Sequence, residues 1–444
     1  MRYVGLLLFF LCIPLLAGII RSDPAIRRRA WMALGVAPYV YGWLHLSVSI
    51  VSWAYWPGYV KGLLLALPDL LAISLLLATP RRPIRRGVLI ALGGYIAAVM
   101  LSMTAADLPF ASFQYAWQLF RIFLVATAVA RISSGSDAPR HIVYGMCYGI
   151  AIQAYFSIVQ HFGHGVVQAS GTMGHQNLLG MMTHFALFAA MALMLAGDRA
   201  VILKIGVVAA LVTVALTGSR GTVGFAGGGV VMLLLLSLLR HPTAKKMRIV
   251  GAGAAILLAL APLAYTTLAT RFAKSSDTGN YDERAAFERA AKTMWADHLL
   301  GVGANEYVVV ANTKGYSARA GVAAVAGSRS ANVHNTYLLI AAETGWPGLI
   351  AFLVLYILAL LTAIRAAWSK PYTRNSELLL GVAITLGTVG IHNLYEWIFV
   401  VEATQYLFAI TIGLTMGVGM DKKLRPQRSG VQHAQLEPQL AIVQ

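Results

Sequence analysis

The sequence predicts an all-α, polytopic integral membrane protein of about 12 to 13 transmembrane helices with one large hydrophilic loop. Three observations carry that expectation. Apolar residues make up 58% of the 444 and charged residues only 12%, against about a quarter charged in a soluble domain. Apolar runs of bilayer length recur along the whole chain, and mean hydropathy is +0.69. The basic residues sit in short clusters between those runs, in the positive-inside pattern. An excess of 35 Lys and Arg over 17 Asp and Glu, net +18, would suggest nucleic acid in a soluble protein. Here the clustering assigns it to the lipid bilayer, and no nucleic-acid partner is expected.

A spanning helix needs about 20 apolar residues. Candidate windows run over residues 4–20, 31–53, 62–78, 88–103, 113–130, 142–162, 178–196, 201–216, 223–239, 249–268, 346–364, 378–391 and 398–416. The shorter ones are expected to tilt, re-enter or merge. The first follows Met1 and Arg2 like a signal peptide, but no small-residue cleavage site closes it. Arg21 and Arg27 follow instead, so it reads as a retained helix. Cys12 and Cys147 lie inside apolar runs and form neither a disulfide framework nor a zinc spacing. The basic clusters at 27–29, 81–86, 131–140, 240–248, 365–374 and 422–428 are separated by even numbers of windows and are expected on the cytoplasmic face. The opposite face then receives Asp107, residues 161–177, 219–221 and 269–333, and the turn at Glu396.

The chain divides accordingly into N-terminal transmembrane helices (1–139), core transmembrane helices (140–268), the large loop (269–333), C-terminal transmembrane helices (334–420) and a polar tail (421–444) expected to be disordered. The loop is too long for a passive connector. Between Asp282 and His298, apolar Ala286, Phe287, Ala290, Met294 and Trp295 recur at helical spacing, which predicts an amphipathic helix. Gly301 and Gly303 end it. Residues 315–330 are rich in Ala, Gly and Ser and are expected to be mobile.

Three groups of residues suit chemistry. His334, Asn335 and Thr336, followed by Glu343, Thr344 and Gly345, stand where the loop re-enters the membrane. A His with a pKa near neutrality can remove a proton; Asn335 can orient it or bind a sugar hydroxyl, and Glu343 can fix its tautomer only if the fold brings it back. The plainer reading is a helix start with interfacial polar residues. On the same outer face, where cations are disfavoured, stand Arg220, Arg271 and Arg284. A guanidinium grips phosphate oxygens bidentately; the plainer reading of Arg220 is a snorkelling interfacial side chain. Arg289 and Lys292 read as a solvated face paired with Glu288. The third group is Gly171, Gly174, His175 and Asn177, a turn into a helix whose N-terminus suits an anion or needs only a cap. Within the windows, Asp69, Arg121 and His184 are costly unless paired; pairing inside the bundle is the favoured reading, a proton or ion path the alternative. There is no Walker motif and no Gly-x-Ser-x-Gly elbow. Asp277, Asp282 and Glu283 are the only outer-loop acids close enough to suggest a metal, and acids at a helix start explain the last two without one.

Taken together these pieces resemble the O-antigen ligase / O-antigen polymerase superfamily. The resemblance rests on His334-Asn335-Thr336-Tyr337-Leu338 and Glu343-Thr344-Gly345. It rests also on Thr217-Gly218-Ser219-Arg220-Gly221, on Gly301-Val302-Gly303-Ala304-Asn305, and on residues 171–177, in an order that covers roughly residues 140 to 420. Before residue 140 the match is in hydropathy alone. The resemblance implies about twelve spans with both termini cytoplasmic, one fewer than the windows give. It implies a glycosyltransferase without cofactor or metal that uses a lipid-diphosphate-linked glycan. The form favoured is the lipopolysaccharide O-antigen ligase of the bacterial inner membrane, active on the periplasmic side. Its partners would be undecaprenyl diphosphate-linked O-antigen and lipid A–core oligosaccharide. The family's essential His falls on His334 and its essential arginines on Arg220 and Arg284, with Arg271 a looser match; Asn335, His175 and Asn177 are expected at the substrate. O-antigen polymerases and protein O-oligosaccharyltransferases share the motifs and differ in acceptor. A lipid-linked glycan transporter, from another class, would need no general base.

Overall fold

In a bilayer every backbone N–H and C=O has to be satisfied within its own segment, so apolar runs become helices. The computed structural model describes residues 2–275, 283–369 and 372–418, and these are mostly helical. Asp277, Asp282 and the tail from residue 421 lie outside them. The first half contains α1 (Arg2–Ser22), α2 (Pro24–Val40), α3 (Leu67–Ala78), α4 (Gly87–Ser102), α5 (Pro109–Ser133) and α6 (Ala138–Ile158), the last running on as a π-turn to Gly163. Then come α7 (Gln176–Leu195), α8 (Val201–Leu216), α9 (Arg220–Arg240) and α10 (Ala244–Ser275). The loop region supplies the amphipathic α11 (Glu283–Asp297) and three short helices, α12 (Tyr307–Thr313), α13 (Tyr316–Arg319) and α14 (Ala326–Arg329). The chain closes with α15 (Thr336–Ala367), α16 (Arg374–His392) and α17 (Glu402–Val418).

Six of these helices are long and apolar enough to cross a membrane, and α3, α4 and α8 are shorter apolar helices. The chain is a multi-pass membrane protein. Where helices cross tightly, glycine permits it: a Cβ on Gly35 of α2 would lie 2.1 Å from the Ile142 carbonyl of α6, and one on Gly145 of α6 would lie 2.0 Å from that of Met32.

Two expectations need correction. The fold is not purely α, because β1 (Ser47–Ser52) pairs antiparallel with β2 (Gly62–Ala66) in a two-stranded sheet. In consequence neither the 31–53 nor the 62–78 window is a continuous helix. The physical reason is periodicity. Ser47, Ser49 and Ser52 interleave with β-branched Val48, Ile50 and Val51, a strand pattern that a hydropathy window averages away.

The basic clusters among the described residues gather at one end of the bundle. Arg21 donates to the Leu77 carbonyl (3.1 Å), the Arg85 N–H to that of Met416 (3.3 Å), and Lys245 to that of Gly197 (3.1 Å). Arg140 pairs with Asp198, and Lys246 with Glu377. Asp69 and Arg121, expected to pair inside the bundle, do so at 2.9 Å, joined by Glu402 and the Tyr406 hydroxyl. His184 is buried too, but its ring stacks near Phe188 and His392 and neither nitrogen is hydrogen-bonded.

Candidate active site

At the other end of the bundle, His334 lies two residues before α15, in a bend closed by the Asn335 N–H donating to the Val333 carbonyl at 2.8 Å. Asn335 is the N-cap: its Oδ1 accepts from the Leu338 N–H at 3.1 Å, satisfying one of the orphan donors of the first turn. Thr336 ties this start to the turn after α16. Its N–H donates to the carbonyls of Asn393 (2.8 Å) and Glu396 (3.1 Å), and its hydroxyl donates to the latter at 2.7 Å. The clamp sets the Glu396 carboxylate against the imidazole, with Nδ1 and Oε2 3.1 Å apart.

Two further elements meet the same carboxylate or its partner. Glu396 Oε1 accepts from Asn177 Nδ2 of α7 at 2.6 Å and from Arg284 Nη2 of α11 at 3.1 Å. Phe287, one turn beyond Arg284, lies 6.0 Å from the His334 ring. Burial pushes the Glu396 carboxyl up, but the hydrogen bond and charge of His334 and the Arg284 guanidinium outweigh it and hold it below its ordinary value. An ionised carboxylate only accepts, so Nδ1 of His334 carries a proton, and in the neutral ring that leaves the lone pair on Nε2. The side chain of Glu396 is 5% exposed, that of His334 24% and that of Arg284 51%. The cluster is therefore closed at the carboxylate and open at the imidazole and the guanidinium.

Arg284 reaches this place because α11 docks by the face its spacing foretells. Ala286, Phe287, Ala290 and Met294 are buried, and Trp295 packs 4.5 Å from Trp346 of α15. On the opposite face Lys292 pairs with Glu288 at 3.1 Å, both exposed, and Arg289 bonds the Ala320 carbonyl. Arg220 is the first residue of α9, after the Ser219 N-cap, and is exposed. α9 crosses α7 just below the site: a Cβ on Gly180 would lie 2.2 Å from Thr222 Oγ1. Arg271 lies near the end of α10, and its side chain is outside the described part of the structure.

The turn from Gly171 to Asn177 is held from α6. Gln160 Oε1 accepts from the N–H groups of Ser170 and Gly171, and Gln153 Oε1 from that of Thr172. His175 caps α7, its Nδ1 accepting from the Asn177 N–H at 3.2 Å. Burial lowers its pKa, partly offset by the charge of Glu396, which places His175 within electrostatic reach of the site. Among the described residues no group of three or more His, Cys, Asp or Glu side chains is gathered as a metal site.

Glu343 is not brought back to His334. Its Oε2 accepts from the Tyr59 hydroxyl (2.6 Å) and its Oε1 from the Tyr307 N–H (3.0 Å), in the buried interior. α15 breaks at Gly345, at φ 62°, and the N–H groups of Val302 and Gly303 take up the carbonyls of Ala342 and Glu343 (3.1 and 2.9 Å). Gly345 has to be glycine, since a Cβ would sit 2.1 Å from the Leu299 carbonyl. Asn305 brackets Val60 with both ends of its amide, at 3.0 and 2.8 Å. The motifs at 301–305 and 343–345 thus meet as a brace that holds the loop on the bundle. Glu396 holds the ring instead, a residue that the sequence places only in an outer turn. The signal for it is an acid just past the end of an apolar window, on the same face as His334 and Arg284.

Fold and site together define a multi-pass helical membrane protein with a His–carboxylate pair joined by the Arg284 guanidinium at one end of the bundle. Residues 205–353 match the family model described as O-Antigen ligase, and over that segment the chain is similar to the O-antigen ligase/polymerase superfamily, whose members are glycosyltransferase-like enzymes acting on lipid-linked glycans. No curated protein matches the chain. The matched segment contains Arg220, Arg271, Arg284, His334 and Asn335; Glu396 and Asn177 come to His334 and Arg284 from outside it, with His175 beside Asn177.

Proposed function

We propose that the chain is an O-antigen ligase, an inverting, metal-independent glycosyltransferase that moves O-antigen polysaccharide from undecaprenyl diphosphate to a sugar hydroxyl of lipid A–core. The observation that carries this reading is the His334–Glu396 pair, open at Nε2, with Arg284 on the same carboxylate. Nε2 of His334 takes the proton of the acceptor hydroxyl as its oxygen attacks the anomeric carbon. The bond from that carbon to the diphosphate oxygen breaks on the opposite face, and its electron pair leaves with the diphosphate. Glu396 stabilises the imidazolium. Arg284, Arg220 and the N-terminus of α9 meet the charge that grows on the leaving group. The proton then passes from His334 to the released diphosphate or to water.

The same reading places the protein in the bacterial inner membrane with the His334 end facing the periplasm, since the basic clusters lie at the other end. Asp69 and Arg121 give a transport path little support, because they are consumed in a closed buried cluster. Within the superfamily the acceptor decides. Purified protein given undecaprenyl diphosphate-linked O-antigen, without nucleotide, is offered lipid A–core, a second lipid-linked glycan, or a Ser/Thr peptide. Product on lipid A–core is expected. Product only on the second glycan would make it a polymerase, and product only on the peptide a protein glycosyltransferase.

A further inference from the structure

At the end of the bundle away from His334, α7, α8, α9 and α10 leave between them an apolar cavity of about 400 Å³, within the ~300–1,000 Å³ typical of ligand pockets. Two of its walls carry one pattern. On α8, Lys204 is followed at three, four and seven residues by Val207, Val208 and Leu211. On α10, Lys245 is followed at the same intervals by Arg248, Ile249 and Ala252. Such intervals place each set on one face of its helix. Both helices begin at this end, so the cations stand at the mouth and the apolar side chains line the depth. From Lys204 to Leu211 the wall runs about 10 Å. Val208 and Ala252 are exposed, so the cavity opens sideways between α8 and α10, toward the bilayer.

The charges at this mouth are not used up by the protein. Nearby, Arg240 and Lys246 share the Glu377 carboxylate and Arg140 holds Asp198. Among the described residues no carboxylate pairs with Lys204, Lys245 or Arg248, and all three are exposed; Lys245 reaches the Gly197 carbonyl at 3.1 Å. The dipoles of α8 and α10 add positive potential at the same place. Attraction to an acidic surface would need the cations but not the cavity. A neutral lipid would need the cavity but not the cations. An amphiphile with an anionic head uses both.

We propose that this cavity binds an anionic phospholipid of the leaflet at the basic end, with an acyl chain between α8 and α10 and the phosphate held by Lys204, Lys245 and Arg248. The site is separate from His334 and Glu396 and does not depend on any reaction there.

The test uses the full-length protein, delipidated in detergent. Phosphatidylglycerol and phosphatidylethanolamine with the same acyl chains are titrated in, and bound lipid is counted by native mass spectrometry. The wild type should retain one phosphatidylglycerol in preference to phosphatidylethanolamine. Lys204→Gln, Lys245→Gln and Arg248→Gln should each weaken that binding about fivefold, the worth of one cation near an acidic headgroup, and the triple variant should lose the preference. Gly253→Leu fills the cavity from α10, where a Cβ meets nothing within 4 Å. It should weaken phosphatidylglycerol about tenfold with every cation in place. As a control, Arg28→Gln, Arg29→Gln and Arg86→Gln together remove the same charge from exposed positions at the same end, outside the cavity, and should change nothing. Melting temperatures show that each variant is folded, and phosphatidylglycerol should raise that of the wild type and the control but not that of the triple cavity variant. Equal loss in the control would make the binding a general attraction to basic surface. Binding untouched by Gly253→Leu would put the lipid outside the cavity, and a wild type without preference would leave the cations with no anionic ligand. Each of these three results overturns the proposal.

Discussion

Two charge clusters among the described residues, each joining an arginine to a buried carboxylate, end differently. Around Arg121, at 3% exposure, Asp69 of α3 and, from α17, Glu402 and the hydroxyl of Tyr406 close in. Around Glu396, the partners His334, Arg284 and Asn177 also come from separate elements, but His334 and Arg284 keep one side open. The first arrangement spends all of its charge on its own members. The second holds one carboxylate fixed so that an imidazole nitrogen and a guanidinium can face a ligand. The polar content alone does not separate a brace from a site; the open side does. Glu343 makes the same point, since it belongs to a family-like motif yet is sealed by Tyr59 and Tyr307.

The comparison breaks most readily at His334. His334→Ala should leave expression and donor binding nearly intact and reduce transfer by about 10²–10⁴-fold, the range of a general base. Substantial transfer by the purified variant would remove that role. Next come the arginines and metal together, because either can meet the leaving charge. Arg220→Ala and Arg284→Ala should each cost about 10²–10³-fold. Lysine should rescue only in part, since an ammonium lacks the bidentate fork. Transfer should survive EDTA. Inhibition by EDTA reversed by magnesium or manganese would move the charge-stabilising role to Asp277, Asp282 and Glu283.

Glu396→Gln sharpens the comparison at smaller cost. Without the carboxylate, the imidazolium of His334 loses its counter-charge and its ring loses a fixed tautomer. The acid limb of the kcat/KM profile should therefore move to lower pH, since a removed anion favours the neutral ring. Transfer on the plateau should fall by tenfold or somewhat more, below the full loss of about 10²–10⁴-fold expected without the base. An unshifted profile would make Glu396 only a packing residue. Arg121→Ala should show the reverse pattern. Removing one partner of a buried ion pair costs about 3–5 kcal/mol, so the melting temperature should fall while KM and the pH profile of the folded enzyme stay put.

Much of this is legible in the chain. His334 and Arg284 stand out as a titratable group and a cation on a face that should lack them. The amphipathic spacing of Ala286, Phe287, Ala290 and Met294 foretells the surface by which α11 docks. Asp69 and Arg121 have to be paired, because an isolated charge among helices is too costly. What cannot be read depends on distance in sequence. Glu396 is 62 residues from His334, and the nearer Glu343 competes for the same role. Which of two acids faces the ring is decided by Thr336 bonding to the Asn393–Glu396 turn, and no local pattern records that bond. The strand at Ser47–Ser52 escapes for the opposite reason, since the alternation of Ser47, Val48, Ser49 and Ile50 is present but averaged out by windows of helix length.

Sidedness has its own check. In a Cys12→Ala background, Ala324→Cys should react with an impermeant thiol reagent from the periplasm, and Ser369→Cys only once the cytoplasm is opened. The reverse pattern would put the His334 end where the proposed acceptor is not presented.

The central claim is that His334, oriented by Glu396, activates the acceptor hydroxyl for a single displacement at the anomeric carbon, with no enzyme-bound sugar intermediate. The most direct measurement is the anomeric configuration of the first transferred sugar, read by NMR in the product and compared with that in the lipid-linked donor. Inversion is the predicted result. Retention would require two displacements and a covalent glycosyl-enzyme intermediate, and would contradict the role of His334 as the base for a single direct attack.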